Sequence, residues 1–72
     1  MMDYNSMTKF DVEDRIAKIA ANAIGDWEFA HSMEDDLMRD ALQAIAMGYP
    51  EPDKLAALVL TTGDIAFPRV CA

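Results

Sequence analysis

From Val12 the apolar positions run Val12, Ile16, Ile19, Ala20, Ala23, Ile24 and Trp27. Steps of three and four between them put one face of an α-helix on the apolar side. Asp11 stands where a side-chain oxygen can accept the first free backbone amides. Glu13 and Asp14 follow where the positive end of the helix dipole favours acids. A first helix is therefore predicted from Asp11. Gly25 leaves its end open: the helix stops at 25, or it runs on through Trp27, Ala30 and His31 to 31.

A second stripe, Leu37, Met38, Ala41, Leu42 and Ile45, predicts a helix over 33–47. Ser32 followed by Asp35 is a variant of the capping box, which normally carries Glu or Gln at the later position. Glu34, Asp35 and Asp36 would then occupy the first turn, where acids are favourable. Gly48 ends this helix, and Tyr49-Pro50-Glu51-Pro52 makes a tight connection in which Pro52 suits the first position of a third helix. That helix, predicted over 52–62, turns Leu55, Ala56, Leu58, Val59 and Thr62 inward, and Gly63 closes it. Asp64 to Pro68 reads as extended, because a residue before proline is pushed out of the helical region. Ile65 and Phe67 should lie back against the bundle.

The expected fold is all-α: a small bundle of three helices with an extended C-terminal tail and no sheet. Residues 1–10 form a flexible N-terminal lead-in, and 11–72 form a single helical domain. Ile16, Ile19, Leu37, Leu42, Ile45 and Leu58 are the expected core.

Composition narrows the function. Seventy-two residues make one domain, and a chain this short buries only about 60% of its unfolded surface. Twelve of the hydrophobic residues are alanines, so the core is small, and self-association or a partner is a natural supplement. Cys71 is the only cysteine, which excludes an internal disulfide and a cysteine-based zinc cage. The first residues lack the basic start and apolar run of a signal peptide, and the apolar run Leu55–Leu60 is too short to span a bilayer. A soluble, cytoplasmic protein is expected.

The net charge of −7 is unevenly placed. Residues 1–36 hold nine acids against three bases, and residues 37–72 hold four against three. Phosphates would repel such a chain, so direct binding of nucleic acid or of an anionic membrane is disfavoured. Electrostatic attraction runs toward basic proteins.

Chemistry, if any, concentrates between Asp26 and Asp40, DWEFAHSMEDDLMRD, with six carboxylates in fifteen residues. Capping accounts for Glu34, Asp35 and Asp36 on the helix boundaries above; it leaves Asp26, Glu28 and Asp40 unexplained. Glu28 and His31 have the i, i+3 spacing of bundle di-iron ligands, but the second pair and the two further glutamates that such a site needs are missing. Ser32 adjoins His31, and neighbouring helix residues do not face each other, so no nucleophile–base pair is expected. No enzyme activity, metal or cofactor is expected.

The remaining reading is a protein-binding edge made of Asp26, Trp27, Glu28, Glu34, Asp35, Asp36 and Asp40, with Trp27 or Phe29 as an apolar anchor. In size, charge and helicity the whole chain resembles phage-encoded inhibitors of host machinery, including anti-CRISPR proteins. The resemblance implies an inhibitor that occupies a basic, nucleic-acid-binding surface of a CRISPR effector or similar host protein. The alternative is a structural or regulatory helical module that self-associates, as a homodimer, through apolar faces. Ala17, Ala20, Ala21 and Ala23 would allow close helix approach there, and Met33, Met38 and Met47 an adaptable contact. An antitoxin or anti-activator docked on one dedicated partner would behave like the inhibitor.

Overall fold

The computed structural model of the protein describes residues 7–67. Three helices follow one another: α1 (Lys9–Gly25), α2 (Trp27–Ala46) and α3 (Pro52–Leu60), the last continued by a 3-10 turn over Thr61–Asp64. No strand occurs among the described residues. The fold is the expected all-α bundle of three helices. Residues 1–6 of the lead-in expected over 1–10, and the tail beyond Phe67, Cys71 included, lie outside the described residues.

Two helix starts differ from the expectation, for one physical reason. Helix α1 begins two residues early, so Lys9 and Phe10 belong to its first turn and not to a lead-in. Its N-cap is Thr8, whose hydroxyl accepts the Asp11 amide at 3.2 Å while the Asp11 carboxylate accepts the Thr8 amide at 3.0 Å. Asp11 is thus the third-position partner of a capping box, not the cap itself. Helix α2 begins six residues earlier than expected, at Trp27, and Ser32 lies inside it. Asp26 is its cap: the Asp26 side chain accepts the Phe29 amide at 3.2 Å. The Asp26 amide also donates to the Asn22 carbonyl at 2.8 Å, closing α1. One residue therefore ends one helix and starts the next. Gly25 is where α1 stops, so the run through to His31 belongs to α2.

The two helices run antiparallel. The Arg15 guanidinium donates to the Asp40 carboxylate at 2.9 Å, and the Asn22 amide donates to the Met33 sulfur at 3.8 Å. Moving seven residues forward along α1 thus moves the contact seven residues back along α2. Helix α3 packs against both. The connection to it is built from backbone geometry. Gly48, at φ 96°, donates to the Ile45 carbonyl at 3.1 Å, and Tyr49 donates to the Ala44 carbonyl at 3.0 Å. These two bonds form a Schellman closure of α2. Glu51 caps α3 without a side-chain bond, in the left-handed region at φ 57°, and Pro52 follows at the first helical position as expected.

The core joins Val12, Ile19 and Ala23 of α1, Ala30, Leu37, Ala41 and Ala44 of α2, and Leu55 and Val59 of α3. Ile16, Ile45 and Leu58 are half-buried against it. Leu42 corrects the expectation: it is 68% exposed. The inward face of α2 is centred on small residues, Ala30, Ala41 and Ala44, with Leu37 between them. This rotates the helix so that Leu42 points away. Alanines at the contact allow the backbones of α1 and α2 to approach closely. Ile65 is extended (φ −79°, ψ 122°), and both it and Phe67 pack on the core, whereas Asp64 belongs to the 3-10 turn rather than to an extended stretch.

Candidate partner-binding surface

The early start of α2 redistributes the acidic cluster. Asp26 lies at the helix junction and commits a carboxylate oxygen to the cap of α2, although its side chain remains exposed. Trp27, the first residue of the helix, is half-buried. Glu28 is exposed in the first turn, where it complements the helix dipole. Glu34 is only 5% exposed and sits on the inward face, one turn from Ala30 and from Leu37. It takes no part in an exposed edge.

Asp35 and Asp36 are exposed on the third turn, not in a first turn, so capping does not explain them. Asp35 lies 3.7 Å from the His31 imidazole. Asp40 is partly buried and bonded to Arg15, which makes it an inter-helix strut rather than a solvent-facing carboxylate. The structural excuses assigned from sequence are thereby reversed. Asp26, Glu28 and Asp40 have structural roles, while Asp35 and Asp36 are left without one on their own helix end.

Four carboxylates remain at the surface: Asp26, Glu28, Asp35 and Asp36. Seven residues make almost two helical turns, so Glu28 and Asp35 share an azimuth, about 10 Å apart along the axis. Phe29 and Asp36 form a neighbouring row with the same spacing. Phe29 is 52% exposed, so the ring stands beside the acids as an apolar element. The sequence named Phe29 as one of two possible anchors; the structure favours it over the half-buried Trp27. The signal was its phase, one step off the Ala30–Glu34–Leu37 face. Arg39 follows at i+4 from Asp35 and i+3 from Asp36, and closes the acidic face with a positive charge.

Glu28 and His31 do not converge with other ligands: among the described residues no three His, Cys, Asp or Glu side chains form a metal-holding group. None of the helices among the described residues is long and apolar enough to cross a membrane. No family model matches the chain, and no curated protein or solved structure is significantly similar to it.

Proposed function

We propose that the protein is a small inhibitor that docks on the basic, nucleic-acid-binding surface of a cytoplasmic effector, such as a CRISPR complex. It does so through the outer face of the first half of α2. The observation that carries this reading is the group of Glu28, Phe29, Asp35 and Asp36 on one helical face, with Asp26 at its end. A helix held by two caps and an inter-helix ion pair presents these charges in a fixed array. Opposite charge on a partner then accelerates encounter, and Phe29 supplies a group that gains from burial. The reading needs no catalysis and no cofactor.

Exposed carboxylates each contribute only about 0–1 kcal/mol, so the charges must be reversed together to be felt. The variant combines Glu28→Lys, Asp35→Lys and Asp36→Lys; Asp40 is spared because Arg15 needs it. Affinity capture from host lysate should retain a basic nucleic-acid-binding protein at low salt, and lose it at high salt or with the triple variant. Capture that persists in the folded triple variant would remove this face from the binding surface.

A second reading, self-association, is favoured by Phe10 and Ile24, which are 80% and 94% exposed. They stand fourteen residues apart on α1, with Ala17 midway and also exposed. Dimerisation through this stripe should be insensitive to salt. Sedimentation equilibrium of wild-type protein and of a Phe10→Ser, Ile24→Ser variant separates the two readings. A dimer at all salt concentrations that the variant abolishes supports the module; a monomer throughout supports the inhibitor.

A further inference from the structure

The acidic face lies on α2, yet a concave part of the described surface lies elsewhere. A groove of about 330 Å³ opens between the start of α1, the α2–α3 connection and the first turns of α3. Its floor is apolar: Leu55 is 4% exposed, and Tyr49 and Leu58 are half-buried. The Tyr49 hydroxyl donates to the Met7 carbonyl at 2.8 Å, tying the residue before the α1 cap to the connection and fixing the ring. The rim carries Lys9, Glu51 and Lys54, all exposed.

The charge of this rim is opposite to that of the chain. Glu51 and Lys54 neutralise each other, their charged atoms 3.0 Å apart. Lys9 makes no ion pair among the described residues. The rim therefore has a net charge of one positive unit in a protein of net charge −7. An apolar floor beneath a cation that has no ion pair among the described residues suits a ligand with an apolar body and one negative charge. A cation would be repelled by Lys9, and a neutral apolar body would leave the ammonium without a partner where the ligand displaces its water. The volume stands at the small end of ligand pockets, which limits the occupant to a small molecule.

We propose that this groove binds a small amphipathic carboxylate. The carboxylate pairs with Lys9 at the rim, and the hydrocarbon body lies over Tyr49, Leu55 and Leu58. The site is independent of the acidic face of α2 and would stand if that face bound nothing.

The probe is decanoate, below its micelle-forming concentration, titrated into nitrogen-15-labelled full-length protein and followed by amide chemical shifts. Saturable shifts are expected at Tyr49, Glu51, Lys54, Leu55 and Leu58, with a dissociation constant between about 1 μM and about 1 mM. Acetate, which has the charge without the body, and decanol, which has the body without the charge, should each bind at least about tenfold more weakly. Lys9→Glu should weaken decanoate by about tenfold while the helix keeps its stability, because an acid is favourable in a first turn. Absence of saturable shifts at these residues would overturn the proposal. So would decanol binding as tightly as decanoate, an unchanged affinity in the Lys9→Glu variant, or concentration-dependent shifts without ligand, which would show a second copy of the chain in the groove.

Discussion

The chain turns between helices twice, by opposite means. Between α1 and α2 it uses one residue, and the side chain of Asp26 does the work that a loop would otherwise do. Between α2 and α3 it uses residues 47–51, and the work falls to the backbone, through Gly48 at φ 96° and Glu51 at φ 57°. The first turn depends on a polar atom placed beside an amide. The second depends on torsion angles that L-residues resist. Exchanging the two strategies at either site should therefore fail in different ways.

The largest effect belongs to Gly48. A β-branched residue at its left-handed φ is strained even where its Cβ meets nothing, so Gly48→Val should cost about 2–3 kcal/mol. Gly48→Asn, which tolerates that region better, should cost clearly less. Denaturant titration of both variants tests the point; equal losses would mean that conformation is not what holds this turn.

Asp26 comes next. Asp26→Ala removes the α2 cap and should cost about 1–2 kcal/mol, with Asp26→Asn recovering most of it. If Ala and Asn behave alike in thermal unfolding, the capping bond is not what makes the one-residue reversal.

Gly25 sharpens the contrast, because it adjoins the first turn but is not in the left-handed region and has open space at its Cβ. Gly25→Ala should stabilise the protein by about 0.5–1 kcal/mol. A loss of stability in that variant would show that the first reversal needs a glycine after all.

The smallest effect is at Glu51. Asn both tolerates the left-handed region and caps helices, so Glu51→Asn should gain about 0.5 kcal/mol after the exposed Lys54 pair is lost. A melting midpoint that falls instead would assign the weight to the ion pair.

This contrast also explains what the sequence could disclose. Gly48 and Pro52 were legible because few residues suit the conformations at those two places: glycine takes the left-handed region freely, and the fixed φ of proline suits a first helical position. Capping side chains are common and interchangeable: Thr8, Asp11, Asp26 and Ser32 all qualify, and local pattern alone picked Asp11 and Ser32. The choice was made by packing along α1 and α2, where Arg15 meets Asp40 across twenty-five residues of sequence. Leu42 failed for a related reason. Its size argued for burial, but the close contact between the helices belongs to alanines. At the candidate surface the same error of six residues moved Asp35 and Asp36 out of a capping role. Nothing local distinguished the buried Glu34 from them.

The one-residue junction at Asp26 has a further consequence, for the route by which the chain acquires its structure. Bringing α1 and α2 together closes almost no loop, so the entropy of closure is close to its minimum. Their pairing is the least costly long contact the chain can make, and it can form before α3 docks. A bundle assembled in this order belongs with the helical proteins of low contact order, which fold in microseconds to milliseconds. Substitutions along the Arg15–Asp40 seam should slow folding, whereas those that loosen α3 should chiefly hasten unfolding.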